Sequence, residues 1–160
     1  MPIRKADARD EAAIAELALE FNRFGDYVGV FLRILHGEEV GYGVRFPVEI
    51  YMQEGDDGGI LGFIAVEWED GSGRPLTGNL HGIAVRPRAR RGGIASSLLD
   101  HVVALAGERG VRRLTARTAE VDNPAARSFF ESRKFALQGH AGRYRPNQPA
   151  IYLARTLGVP

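Results

Sequence analysis

Apolar residues recur every three or four positions in four segments of this 160-residue chain, which is the spacing of amphipathic helices. The first segment, for instance, places Ile14, Leu17, Ala18 and Phe21 on one face. The four predicted helices are one that begins after a cap at Asp7 or Asp10, one over Tyr27–His36, one from Ile94 to about Ala106, and one that opens at Asn123–Pro124.

Short apolar and β-branched runs between and after these helices predict strands. The clearest pair flanks a turn rich in Gly and Asp at 54–59, which predicts a hairpin. Antiparallel strands followed by a strand–helix–strand unit predict an α/β fold with a mixed, mostly antiparallel sheet and helices on both faces. The predicted strands are Ile3–Ala6, Val48–Gln53, Ile60–Trp68, Asn79–Val85, Arg112–Thr118, Phe135–Gln138 and Ala150–Leu157.

Composition narrows the functional classes. The length predicts one domain over residues 1–160. The absence of cysteine excludes a disulfide scaffold, a zinc–thiolate site and a Cys nucleophile, and the four histidines lack metal-ligand spacing, so no metal is expected. A net charge of +1 argues against a nucleic-acid partner. No signal peptide or membrane-spanning run is found, so the expectation is a cytoplasmic protein with no membrane partner.

The most informative segment is 85–99, in which a strand ends at an arginine-rich turn and a Gly pair precedes a helix. Backbone amides at such a junction point at an anion, and the four arginines of the turn add positive charge. The spacing Arg90-x-x-Gly93-x-Ala95 resembles the acetyl-CoA-binding motif, Q/R-x-x-G-x-G/A, of the GNAT N-acetyltransferases.

A second segment, from Asn123 to Phe135, resembles the block N-x-x-A-x-x-x-Y-x-x-x-G-F of the same family. It departs from that block twice, with Phe130 in place of the common Tyr and Lys134 in place of the common Gly. The Gly normally provides a left-handed helix exit, so Lys134 costs roughly 1 kcal/mol if that conformation is kept.

The resemblance implies the GNAT fold, acetyl-CoA as the acyl donor and an amine as the acceptor. In this family the pantetheine arm pairs with a strand, and the N–H of Val85 would then lie close to the thioester carbonyl. For Asn123, a helix cap with no ligand contact is an equally good interpretation. The residues implied for the donor site are Ile83, Ala84, Val85, Arg90, Arg91, Gly92, Gly93, Ile94, Ala95, Ser96, Asn123 and Phe130.

The predicted base departs from the family pattern. Asn79 stands where many members have a Glu, and His81 follows two residues later on the same face of the strand. An imidazole can accept the proton of the amine directly or through water, so His81 is the candidate base. His81 could instead be a structural residue. Glu67 and Glu69 of the preceding strand are then the competing bases, although such glutamates usually lie on a solvated strand face.

The predicted general acid departs from the family pattern as well. Phe130 has no proton to donate to the leaving thiolate, so Tyr144 is predicted as a substitute donor. A thiol with a pKa near 8.5 also leaves tolerably as the anion, so the loss of the Tyr predicts a slower enzyme rather than an inactive one.

The leading hypothesis is an acetyl-CoA-dependent N-acetyltransferase acting on a primary amine of a small molecule. Segment 142–150 looks somewhat like a Tyr-containing turn of protein N-terminal acetyltransferases, so a protein or peptide acceptor is an alternative. A catalytically weakened acyl-CoA-binding module is another. The length of the acyl group and a homodimer are left open.

Overall fold

The computed structural model describes residues 2–19, 32–38, 47–69, 77–119, 124–145 and 148–158. Its strands are β1 (Ile3–Lys5), β2 (Val48–Glu54), β3 (Ile60–Glu69), β4 (Thr77–Val85), β5 (Arg113–Ala119), β6 (Ala136–Arg145) and β7 (Gln148–Thr156). Its helices are α1 (Glu11–Ala18), α2 (Ile94–Glu108) and α3 (Pro124–Ser132), with short 3-10 helices at Ala8–Asp10 and Pro87–Ala89; residues 32–35 are also helical.

The described strands form one seven-stranded sheet in the order β1-β2-β3-β4-β5-β7-β6. β4 and β5 run parallel, and the other neighbouring pairs are antiparallel. α2 connects β4 to β5, because parallel neighbours need a crossover of this kind. The mixed, mostly antiparallel sheet confirms the predicted fold class.

Apolar side chains cover both faces of the sheet, since successive residues of a strand point to opposite sides. On one face, Leu98 of α2 packs in a cluster with Ile64 and Leu80. On the other face, Ile14 of α1 packs in a cluster with Phe63. We call these the α2 face and the α1 face. Helices on both faces were predicted and are confirmed.

The N-terminal helix begins differently from the prediction. The Asp7 side chain accepts the N–H of Arg9, and the Asp10 side chain accepts the N–H of Asp7, so this reciprocal cap closes a 3-10 turn before α1 starts. α1 then ends at Ala18. Phe21 and residues 27–31 of the helix predicted over 27–36 lie outside the described residues, whereas residues 32–35 are helical as predicted.

Two other elements are longer than predicted. α2 extends to Glu108, with Leu99 and Ala106 buried and Leu105 only partly so. β6 runs to Arg145 because its pairing with β7 continues through three register shifts. Such bulges break the two-residue alternation from which a strand is predicted. The other strand ends agree with the prediction to within about two residues.

Within the described residues, none of the helices combines the length and the apolar content needed to cross a bilayer.

Candidate active site

A gap opens between β4 and β5 partway along their length. Their parallel pairing ends at the partners Leu80 and Ala116. Beyond these residues β4 continues to Val85 and β5 to Ala119, but the described backbone shows no pairing between the two. Residues 83–85, which the resemblance to the family implies for pantetheine, therefore border this gap.

The backbone groups of Ile83 and Val85 face the gap. The N–H of Arg86 donates to the carbonyl of Leu61 in β3 at 2.8 Å. Because the direction of N–H and C=O alternates along an antiparallel strand, Ala84 also turns its groups toward β3, whereas Ile83 and Val85 turn theirs away. An extended ligand in the gap can thus pair with β4 as an additional strand.

The chain then turns sharply into α2. Arg91 and Gly93 both adopt the left-handed conformation, with φ of 65° and 80°. Gly93 is the N-cap of α2, and no side chain caps the helix. The first N–H groups of a helix have no acceptor within it, so those at 94–96 are suited to binding an anion outside the helix. A Cβ at Gly93 would have nothing described within 4 Å, which leaves room for such an anion.

A close approach of α2 to β3 fixes the position of this helix end. A Cβ at Gly62 would lie 2.7 Å from the carbonyl oxygen of Ala84 and 3.1 Å from Cγ2 of Ile94. Only glycine fits there without a shift of backbone. Gly62 thereby allows the first residue of α2 to lie directly on the strand next to β4.

The four arginines of the turn have different roles. The guanidinium of Arg86 donates to the carbonyl of Ile60 at 2.5 Å and to Oε1 of Glu16 at 2.7 Å. It therefore ties the turn to β3 and α1. The other three are exposed, so they supply positive charge at the surface of the turn.

One further cation lies beside the first turn of α2, and no sequence motif signals it. Arg133, which follows α3, donates to Oγ of Ser96 and lies 3.7 Å from Oδ1 of Asp100. The Ser96 hydroxyl accepts this bond and keeps its own proton for another acceptor. The predicted donor residue Ser96 thus comes with a positive charge contributed from α3.

A group of polar side chains from β3, β4 and β5 lies beside the start of the gap. We call Glu67, Glu69, Asn79, His81 and Thr115 the polar cluster. Nε2 of His81 lies 3.0 Å from Oε1 of Glu67, and Nδ2 of Asn79 donates to Oε1 of Glu69 at 3.1 Å. The hydroxyl of Thr115 donates to Oδ1 of Asn79 at 2.5 Å.

Glu67 does not lie on a solvated strand face, which was one interpretation of its sequence. It is only 4% exposed, and so is one of the few buried charged residues among those described. Burial of a carboxylate is costly unless donors surround it. Nε2 of His81 is the hydrogen-bond partner of Glu67, so two of the candidates for the base contact each other rather than being separate alternatives.

A β-bulge in β4 positions His81. The β3–β4 register passes from Ala65 opposite Gly82 to Val66 opposite Leu80, so His81 is the extra residue. A bulge re-aims the side chain that it carries. Here it brings the imidazole to Glu67, on the same side of the sheet as Phe63 and Ala65 of β3, which pack on the α1 face.

The second family-like segment forms the exit of α3. Lys134 has a φ of +69°, so the left-handed conformation is kept despite the lysine, which is the case for which the sequence predicted a cost of roughly 1 kcal/mol. The N–H of Phe135 donates to the carbonyl of Phe130, and that of Lys134 to Glu131, which is the pattern of a Schellman motif. The rings of Phe130 and Phe135 lie 5.1 Å apart, and Phe130 is 9% exposed.

Two predicted site residues are not described. Asn123 lies outside the described residues, and so does the side chain of Tyr144, whose backbone belongs to β6. Their roles stay predictions. Among the described residues, no group of three or more histidines, aspartates or glutamates is placed to hold a metal ion.

A family model described as the acetyltransferase (GNAT) family matches residues 13–135, which is most of the chain. The chain belongs to the GNAT acetyltransferase family. A comparison with curated proteins found no match.

Solved structures of other acetyltransferases share the fold of this GNAT chain. The ribosomal-protein-S18-alanine N-acetyltransferase from Escherichia coli superposes with a TM-score of 0.76 at 21% identity, covering 99% of this chain and 95% of that one. NAA60 from Arabidopsis thaliana, solved with a bisubstrate analogue, gives 0.76 at 16% identity and 97% coverage of both chains. Nourseothricin acetyltransferase gives 0.59 at 26% identity, covering 69% of this chain and 66% of that one.

The names of two of these acetyltransferases give different acceptors, the alanine of ribosomal protein S18 in one case and nourseothricin in the other. The GNAT fold therefore does not fix the acceptor. Membership of the family indicates an acyltransferase that takes acetyl-CoA as its donor.

Proposed function

We propose that this protein is an acetyl-CoA-dependent N-acetyltransferase that acetylates a primary amine of a small molecule. The observation that carries the proposal is the gap between β4 and β5, because it opens beside the arginine–glycine turn at one end and beside His81 at the other. A long donor with an anionic end and a reactive end suits such a gap.

The donor half of the proposal uses mainly backbone groups. The N–H groups at 94–96 and the exposed arginines of the turn would hold the pyrophosphate. The pantetheine arm would pair with Ile83 and Val85, whose backbone groups face the gap. The N–H of Val85 would then polarise the thioester carbonyl and stabilise the negative charge that develops on its oxygen.

The acceptor half of the proposal assigns the base to His81. The amine nitrogen attacks the carbonyl carbon, and its proton passes to the imidazole directly or through water. The carbon–sulfur bond breaks, and coenzyme A leaves as the thiolate. The imidazolium of His81 then returns its proton to solvent or to the departing sulfur, so that the products are the amide and the free thiol.

The leaving thiolate receives help from Tyr144 in this proposal. Phe130, which aligns with the usual Tyr of the family, packs in the apolar core and carries no transferable proton. A thiolate with a pKa near 8.5 is a fair leaving group, so Tyr144 would accelerate the reaction without being indispensable.

The experiment that tests the proposal mixes the protein with acetyl-CoA and a thiol-reactive dye over a panel of amines. The panel contains small mono- and diamines, amino acids and short peptides with free N-termini. Thiol release that depends on a small amine supports the proposal, and release with peptides alone would move the acceptor class to proteins. Tight binding of acetyl-CoA without any amine-dependent release would indicate an acyl-CoA-binding module instead.

Three further properties belong to the proposal as predictions. We expect one domain over residues 1–160, a cytoplasmic location and no retention on DNA beyond background. A homodimer is compatible with the proposal and does not alter the chemistry assigned to His81.

A further inference from the structure

The proposed chemistry uses only His81 of the polar cluster, and the buried carboxylate of Glu67 in contact with it has not been given a role. We propose that Glu67 is a positioning residue, which holds His81 with its proton on Nε2 and leaves Nδ1 as the basic nitrogen. The inference rests on the proposed function in so far as His81 is the base. Its structural part, the protonation of one particular ring nitrogen, can be tested without any turnover.

The burial of Glu67 is the first argument. Its side chain is 5% exposed, whereas that of His81 is 28% exposed, so the carboxylate lies behind the ring and the ring lies nearer to solvent. On its strand Glu67 follows Phe63 and Ala65, which are fully buried on the same face. A charged group in such surroundings is rare unless it is paired.

The hydrogen-bond directions are the second argument. Nδ2 of Asn79 donates to Oε1 of Glu69 and, at 3.4 Å, to Oε1 of Glu67. This orientation of the amide suits both of its ends, since Nδ2 faces two carboxylates and Oδ1 accepts the Thr115 hydroxyl. Glu67 therefore receives an amide donor on the same oxygen that faces His81, which is the environment of an ionised carboxylate.

The tautomer follows from these directions. An ionised carboxylate only accepts, so Nε2 of His81 carries the proton at the 3.0 Å contact with Glu67. A neutral imidazole has one N–H, and Nδ1 then bears the lone pair. In the reaction the proton of the amine moves to Nδ1, and the positive charge on the ring lies beside the carboxylate of Glu67, which stabilises it.

The bulge at His81 is the third argument. In a regular strand, a histidine at 81 would have a cross-strand partner in β3. The extra residue instead removes His81 from the register and brings its ring to Glu67. An irregular backbone that delivers one side chain to one buried carboxylate is typical of a functional position.

The first test is nuclear magnetic resonance of the free protein labelled with ¹⁵N at histidine. The ring signals of His81 are assigned as those missing from His81→Ala, and their ¹⁵N shifts identify the protonated nitrogen. We expect the Nε2–H form between pH 7 and 9. An Nδ1–H form, or a ring protonated on both nitrogens throughout this range, would overturn the proposal even if the enzyme acetylates amines.

The second test is a double-mutant cycle on an amine that the panel has identified. Glu67→Gln keeps the shape of the side chain and removes its charge, and we expect kcat/KM to fall about 10- to 100-fold with little change in the Kd of acetyl-CoA. In the His81→Ala background the same change should have almost no further effect, because Glu67 acts through His81. Equal losses in both backgrounds would show a merely structural role.

The matched control is Glu49→Gln. Glu49 is also a partly buried strand carboxylate in an ion pair, at 2.5 Å from Arg109, but it lies one strand further from β4 and outside the polar cluster. We expect its kcat/KM to stay near the wild-type value. A comparable loss there would mean that any strand carboxylate matters, which contradicts the proposal. If Glu67→Gln does not fold, the tautomer measurement on the unmutated protein decides.

Discussion

The arginine–glycine turn and the polar cluster flank the same stretch of β4, yet they are built in opposite ways. The turn presents mainly backbone groups, which are the N–H donors at 94–96 after the left-handed Arg91 and Gly93, and the strand edge at 83–85, which β5 leaves unpaired. The cluster consists of side chains that come from three different strands. Backbone sites can be predicted from local sequence, whereas a cluster of side chains depends on the register between distant segments.

The largest expected effect distinguishes the two regions directly. His81→Ala should lower kcat/KM at pH 7 by about 10²- to 10³-fold, because general-base assistance is lost, while acetyl-CoA still binds. For an acceptor that is an α-amine, with a pKa of about 7.7–8.0, the deficit should shrink at pH 9, because such an amine is neutral there without help. Steady-state rates at pH 7 and pH 9 measure the loss of kcat/KM, and calorimetry measures the Kd of acetyl-CoA.

The control for His81 is another histidine of the described chain. His101 of α2 lies 5.1 Å from the ring of Tyr51, on the α2 face of the sheet. His101→Ala should leave the pH profile of kcat/KM unchanged. A His81→Ala variant with that same unchanged profile would show that His81 is structural and would assign the base elsewhere.

A negative charge placed at Gly93 tests whether the arginine–glycine turn binds the anionic end of acetyl-CoA. Gly93→Asp should weaken acetyl-CoA binding about 100-fold, because a carboxylate at the N-cap takes the helix N–H donors and repels the pyrophosphate. Gly93→Asn is the matched control, since Asn tolerates the left-handed conformation equally well and carries no charge. We expect its loss to be several-fold smaller in a titration calorimeter. Equal affinities for wild type and Gly93→Asp would place the donor elsewhere.

The difference between the two regions also explains what the sequence could predict. The presence of β1 to β5 and of α2 follows from periodicity, and the fixed spacing of the second motif marks Lys134 as the position where a left-handed exit is usual in the family. The contact of His81 with Glu67 joins residues fourteen positions apart through a bulge, and no local pattern marks a bulge in β4. Arg133 likewise reaches Ser96 from another helix, so its contribution depends on packing that the sequence does not display.

The third prediction concerns Glu49, a strand carboxylate outside the polar cluster, which we expect to contribute to stability and not to catalysis. Burial by itself would raise the pKa of Glu49, but hydrogen bonds from Arg109 and Tyr51 outweigh it and lower that pKa to about 2. Glu49→Gln should therefore lower the free energy of unfolding at pH 7 by about 1–2 kcal/mol. Thermal unfolding measures this loss as a few degrees in Tm.

The pH dependence of that loss has a definite sign. Because the pKa of Glu49 in the folded protein is below its ordinary value of 4.5, the ionised carboxylate stabilises the fold above about pH 4.5 and progressively less as the pH falls toward 2. The Tm difference between wild type and Glu49→Gln should thus be nearly constant from pH 7 to 5 and should shrink by pH 3. A difference that grew in acid would contradict the ion pair with Arg109.

The smallest expected effect concerns the departure from the family pattern at the exit of α3. Lys134→Gly should raise the free energy of unfolding by about 0.5–1 kcal/mol, because glycine adopts a φ of +69° without the clash of a Cβ, partly offset by its greater freedom when unfolded. Lys134→Ala, which keeps the Cβ, is the control and should not be stabilised. If both variants gain equally in chemical denaturation, the lysine charge rather than the backbone is responsible. We expect neither variant to change kcat/KM, since the Schellman motif positions α3 and not the polar cluster.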